Sequence, residues 1–125
     1  MKFQTKIGIV LSILIVGGVL LYLKTLKLTY TSYTVKQLYE DLPLNQKVEV
    51  KGRIVKILRD YTSRKGNIYQ RFYISSGNKT ILSFCLIDKN RLRIVVGDKV
   101  RVRGTFIRYR NFYEIFCKTS DVEVI

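Results

Sequence analysis

The sequence predicts a small all-β domain: a five-stranded closed barrel preceded by a short helix and, ahead of that, by an N-terminal helix able to span a membrane. Three observations carry this expectation. Seventeen consecutive residues, Ile7 to Leu23, are uncharged and bounded by Lys6 and Lys24. Beyond residue 47, apolar residues recur at every second position, the period of a strand with one buried face. Two of these stretches, Val48 to Ile54 and Val100 to Phe106, share the pattern Val-x-Val-basic-Gly. A glycine at that place lets a strand bend enough to serve two sides of a barrel.

The uncharged run makes roughly 26 Å of helix against a hydrocarbon core of about 30 Å. Leu26, Leu28 and the aliphatic stems of Lys24 and Lys27 extend it, and Tyr22 and Tyr30 suit the interface. The following stretch, KTLKLTYTSYT, has no small-residue cleavage site, which favours a retained single-pass anchor over a removed signal peptide. The expected division is therefore an anchor over residues 1–27, a tether over 28–33 and a domain over 34–125. Lys2 and Lys6 on one flank balance Lys24, Lys27 and Lys36 on the other, so flanking charge does not set the orientation. A cytoplasmic domain accords with the positive-inside bias.

Charge separates the domain from its anchor. The chain carries 23 Lys and Arg against 9 Asp and Glu; four of the lysines lie in the first 27 residues, so the domain keeps 19 cations against 9 acids, a net +10. A small domain this basic attracts polyanions, whether nucleic-acid phosphates or anionic lipid headgroups. There is no histidine and there are two cysteines, so a Cys/His zinc site is excluded and no metal or cofactor is expected. The acids are scattered without the spacing of an acid/base pair, and the commonest general base is missing, so the chain reads as a binding protein and not an enzyme. Cys85 and Cys117 fall in separate strands and read as buried thiols.

Along the domain, Thr34 to Gln37 form a capping-box pattern that opens a short helix over Val35 to Leu42, stopped by Pro43. The first strand begins at Val48, and its alternation slips at Ile54-Val55, as at a bulge. An exposed hairpin follows over Asp60 to Asn67. Two strands, Tyr69 to Ser75 and Lys79 to Ile87, are joined by the turn Ser76-Gly77-Asn78. Phe72, Ile74, Leu82, Phe84 and Leu86 are expected to supply the inward set; Tyr69, Arg71, Tyr73, Ile81, Ser83 and Cys85 are expected to face away from that core. After a connector and the turn Gly97-Asp98 come the second glycine-containing strand, a hairpin at Arg110-Asn111-Phe112, a strand from Tyr113 to Lys118 and an end strand near Val122 to Ile125.

Over Thr34 to Ile125 the sequence resembles the oligonucleotide/oligosaccharide-binding (OB) fold of the anticodon-binding and single-strand-binding type. The residues that carry the resemblance are VEVKGRI at Val48 to Ile54, IYQRFYI at Ile68 to Ile74, VGDKVRVRGTF at Val96 to Phe106 and YEI at Tyr113 to Ile115. The resemblance implies a ligand lying across the second and third strands, flanked by the loop after the first strand and the loop between the fourth and fifth. Carried onto matching positions, it nominates Tyr69, Arg71 and Tyr73 on the sheet, Tyr61, Arg64 and Lys65 in the first loop, and Arg108, Tyr109, Arg110 and Phe112 in the last. Rings interleaved with cations suit single strands, whose unpaired bases stack while their phosphates follow the positive charge. Each group also has a plainer reading: Tyr69 and Tyr73 as cross-strand β-formers, Arg64 and Lys65 as solvated turn residues. Arg101 and Arg103 read as an outward charged row.

The expected function is single-stranded DNA or RNA binding at a membrane. The alternative is an interaction subunit whose basic barrel contacts membrane proteins or anionic lipid. Membrane-anchored haem chaperones of cytochrome c maturation also resemble an anchor followed by this barrel. Their haem attachment resembles a histidine function, which this chain lacks.

Overall fold

The computed structural model describes residues 29–125; the expected anchor lies outside the described residues. Strands β1 (Thr31–Tyr33), β2 (Lys47–Ile57), β3 (Tyr61–Thr62), β4 (Ile68–Ser76), β5 (Lys79–Leu86), β6 (Lys99–Tyr109), β7 (Phe112–Lys118) and β8 (Val122–Val124) accompany one helix, α1 (Val35–Asp41). Five strands close the barrel. β2 pairs antiparallel with β4 and β6, β4 with β5, and β6 with β7, while β5 and β7 run parallel and seal the circuit. Thr31–Tyr33, expected in the tether, instead adds a parallel edge strand to Val48–Val50. The helix supplies the crossover that a parallel pairing of neighbouring strands requires.

The helix starts where its capping box predicts. Thr34 Oγ1 accepts from the Gln37 amide at 3.0 Å and Gln37 Oε1 accepts from the Thr34 amide at 2.9 Å, satisfying two donors that the first turn leaves open. Leu42 adopts a left-handed C-cap, φ 47°, ahead of Pro43. Val35 and Leu38 are buried in the barrel core. The Val35 amide donates to Ser76 Oγ at 2.9 Å and the Tyr39 hydroxyl to the Thr80 carbonyl at 2.8 Å, which pins α1 beside the β4–β5 hairpin.

The two strands that echo each other in sequence are ladder partners. Val50 faces Val102, and each glycine faces a valine of the other strand, Gly52 opposite Val100 and Gly104 opposite Val48. A Cβ at Gly104 would sit 2.5 Å from the Phe116 carbonyl oxygen, and one at Gly52 would sit 2.9 Å from that of Ser75. Both glycines therefore allow a neighbouring backbone to press against a bent strand. The expected slip is present too: the β2–β4 register shifts between Ile54 and Lys56, as a bulge at Val55 requires.

Two further expectations are corrected. Ser76 pairs with Lys79, so the β4–β5 turn holds two residues, Gly77 (φ 62°) and Asn78 (φ 63°), and not three. That change of one residue inverts the faces of β5. Ile81, Ser83 and Cys85 are buried, while Leu82, Phe84 and Leu86 lie on the outer face with Tyr69, Arg71 and Tyr73. The second correction follows from barrel closure. The parallel β5–β7 register makes Cys85 and Cys117 direct partners, 4.5 Å apart at Cα, and they form a disulfide instead of remaining thiols. Neither strand alone gives a reason to bring them together.

The segment from Ile87 to Asp98 has no regular structure and closes over the core by specific ties. The buried Gln70 donates through Nε2 to the Leu92 carbonyl at 3.2 Å and accepts from the Leu92 amide at 2.6 Å. Leu92 and Ile94 pack against the core. An amide side chain with both ends satisfied replaces the backbone pairing that this stretch lacks.

Candidate nucleic-acid interface

Barrel registers place the outward residues of β4, β5, β7 and β6 in transverse rows. One row runs Tyr73, Leu82, Glu114, Ile107; the next runs Arg71, Phe84, Phe116, Thr105; a third begins Tyr69, Leu86, Lys118. The hairpin of β3 and β4 brings Tyr61 opposite Tyr69 at one margin. The result is a ring platform. Tyr69 stacks on Phe84 at 4.7 Å, Phe84 lies 6.2 Å from Phe116 at an interplanar angle of 23°, and Tyr61 approaches Phe84 at 5.8 Å. Such offset contacts hold the rings in place with part of each face open.

Two grooves lie over this face. The larger, about 550 Å³, is lined by Tyr61, Tyr69, Arg71, Phe84, Tyr109 and Arg110 together with Ser63, Leu82, Ile107, Glu114 and Phe116. The second, about 410 Å³, runs past Tyr73, Phe112, Tyr39 and Tyr113. They meet at Leu82, Tyr109 and Glu114, which line both. Seven of the ten residues nominated from sequence, Tyr61, Tyr69, Arg71, Tyr73, Tyr109, Arg110 and Phe112, therefore border one connected surface.

The remaining three lie around it. Arg64 and Lys65 occupy the β3–β4 turn directly after Ser63, a turn closed by the Ser63 amide donating to the Asn67 carbonyl at 2.8 Å. They do not line the groove, whereas Ser63, next to them in the chain, does. Arg108 shares the core-side parity of β6 beyond the barrel's end. Its guanidinium lies 6.0 Å from the centre of the Tyr113 ring, and its Nε donates to the Arg110 carbonyl. The Arg110 guanidinium covers Tyr109 at 5.3 Å, and Arg71 Nε donates to the Arg59 carbonyl at 2.9 Å. Phe112, 72% exposed at the β6–β7 turn, is a ring with no core to fill.

Acids do not line this surface, with one exception, although Asp60 lies near enough to Arg71 for their charges to interact. Glu49 holds Arg103 at 3.0 Å and Arg101 at 3.4 Å, and Glu123 also holds Arg101, so the outward row on β6 is neutralised in place. The hydrogen bond between Arg91 and Asp60 lowers the Asp60 pKa. Hydrogen bonds from the Ser120 side chain, then the Lys89 backbone and the Thr119 side chain, hold Asp88 below the usual carboxylate range. The exception is Glu114, the one acid lining either groove among the described residues, and burial raises its pKa.

Sequence reasoning missed Phe84, Phe116, Leu82 and Glu114. A three-residue β4–β5 turn would face Phe84 and Leu82 inward; the two-residue turn puts both on the outer face. The alternation of Phe112, Glu114 and Phe116 along one strand carried the signal for the other two, since every second residue shares a face.

The sequence matches no known family model and no curated protein. Solved structures are similar. A crystallised domain of replication protein A from Methanococcus maripaludis has a TM-score of 0.60 at 13% identity, covering 76% of this chain and 96% of its own. The second OB-fold domain of that organism's replication protein A, solved by NMR, gives 0.60 at 13% identity, with coverage of 76% and 95%. An OB domain from Thermoplasma acidophilum gives 0.56 at 17% identity, covering 75% and 86%. The barrel has the OB fold.

Proposed function

We propose that this OB barrel binds single-stranded nucleic acid, with bases stacked on the Tyr69–Phe84–Phe116 platform and on the exposed Phe112 ring of the adjoining groove, and phosphates following Arg71, Arg110 and the turn residues Arg64 and Lys65. The observation that carries the reading is the convergence of those rings and cations on one connected groove, while the cations of the opposite row are paired with acids. Single strands use such surfaces because every base has a face to stack, and a duplex hides those faces. The likeness to domains of a replication protein supports the same reading. No catalytic step is proposed. A scaffold resting on anionic lipid is less well supported, because the platform rings line a groove together with Arg71 and Arg110 and do not form a protruding apolar patch.

The uncharged segment Ile7 to Leu23 supports tethering of the domain at a membrane. The Cys85–Cys117 disulfide supports a domain on the oxidising, non-cytoplasmic side, contrary to the orientation that accords with charge bias alone. Cleavage of the domain by protease added to sealed cells is the outcome expected of that topology.

The binding test is fluorescence anisotropy of the full chain with a labelled single strand of about 16 nucleotides. A duplex of the same sequence should compete at least about tenfold less well. Phe112→Ala, at an exposed position, should weaken binding about 5- to 150-fold, the range given by one stacked base. Equal competition by the duplex, or an unchanged affinity in Phe112→Ala, would sink the reading.

A further inference from the structure

Resting on the reading above, we infer that Glu114 is a base-reading residue that selects guanine, accepting two hydrogen bonds from its Watson–Crick edge at the junction of the two grooves. Glu114 is 9% exposed and lines both grooves. Its row neighbours are aliphatic on both sides, Leu82 on β5 and Ile107 on β6, with Phe116 next along its own strand face. Among the described residues no cation forms a salt bridge with it, although the domain carries a net +10. Burial without a paired cation raises the cost of ionisation, consistent with its elevated pKa.

A groove that only followed phosphates would have no use for such a group, because an acid among polyanions repels them. A carboxylate set between Leu82 and Ile107 and partly removed from water also carries a desolvation cost. Both facts make sense when the ligand brings the donors. An ionised carboxylate accepts only, through two oxygens. Guanine offers N1–H and N2–H side by side, matching both oxygens at once. Cytosine and adenine offer one exocyclic donor beside a ring-nitrogen acceptor. Thymine and uracil flank a single N3–H with two carbonyls that a carboxylate repels. A base stacked on Phe116, about 7 Å along the strand from Glu114, presents its edge towards the carboxylate. Base edges of single strands are the surfaces that proteins read for sequence.

The experiment compares three single strands binding to the full chain by anisotropy at neutral pH: a thymidine oligomer, the same oligomer with one central guanosine, and the same with inosine there, which lacks the N2 amine. Guanosine should tighten binding about tenfold over thymidine, within the range of one bidentate base contact. Inosine should forfeit most of that gain without any change to the protein. In Glu114→Gln, whose folding is checked by its thermal transition, the ratio of guanosine to thymidine affinity should fall to about one. Equal binding of the three oligomers by the parent chain, or a guanosine preference that survives in Glu114→Gln, overturns the inference and leaves single-strand binding standing. Failure of all three to bind overturns the function as well.

Discussion

Replacing a groove cation should change how binding depends on salt, and the structure gives the size of the change. The proposed path of a strand takes in four cations: Arg71 and Arg110 in the groove wall, and Arg64 and Lys65 in the exposed turn that follows Ser63 of that wall. Each single-strand phosphate that a cation neutralises contributes roughly −0.7 to the slope of log affinity against log salt. Four contacts give about −2.8, so affinity should fall about 50-fold between roughly 50 and 200 mM salt. Arg71→Gln and Arg110→Gln should each make the slope shallower by about 0.7. Arg101→Gln is the matched comparison. Arg101 carries the same charge but is held by Glu49 and Glu123 on a different face, so its removal should leave the slope as it was. Anisotropy titrations at several salt concentrations measure all four chains. A parent slope shallower than about −1, or an Arg101→Gln effect as large as that of Arg110→Gln, refutes the assignment of phosphate contacts to this face.

Three further outcomes test the scaffold. The disulfide closes a loop with a sequence separation of 32, for which loop-closure entropy corresponds to about 4 kcal/mol. Urea melts of the Cys85→Ala/Cys117→Ala double variant should show a loss of about that size. In Gly104→Ala, the new methyl meets the Phe116 carbonyl oxygen at 2.5 Å and Ile115 Cγ2 at 2.9 Å, so the same melts should show about 1 to 3 kcal/mol of destabilisation. For pH, the Glu114 pKa is higher in the fold than in the unfolded chain; the folded state then holds more protons between the two values, and stability falls as pH rises through that window. Glu114→Gln should remove this decline and be the more stable chain above it, as read by thermal transitions across the acidic to neutral range. Asp88, with its pKa lowered, acts in the opposite sense at lower pH: its contribution is present above the ordinary carboxylate value and is lost on acidification.

Much of the barrel is visible in the residues. The repeated Val-x-Val-basic-Gly pattern reports two strands that must bend alike, and they bend alike because they are paired with each other, with Val50 opposite Val102. The capping box at Thr34 and the slip at Ile54-Val55 are local, so short-range rules reach them. The disulfide is not local. It depends on β5 meeting β7 in parallel across the barrel seam, and nothing in either strand alone announces that pairing. The separation of paired from unpaired cations was only partly legible: the sequence marks Arg101 and Arg103 as an outward row, while the positions of Glu49 and Glu123 opposite them are a product of register.

The β4–β5 turn shows how a functional surface hangs on one residue of loop length. Ser-Gly-Asn can be counted as a three-residue turn or as two residues with Ser76 already in the ladder, and the backbone decides: Gly77 and Asn78 both take positive φ, the requirement of the tight turn whose twist matches the flanking strands. With that turn, Ile74 must face Ile81 and Tyr73 must face Leu82. Phe84 then lies outside against Tyr69, and β7, paired in parallel with β5, sets Glu114 beside Leu82 and Phe116 beside Phe84. A turn one residue longer would bury Phe84 and expose Cys85, removing both the centre of the ring platform and one half of the cross-link. The asparagine and glycine of this hairpin therefore determine which face of the barrel can stack a base.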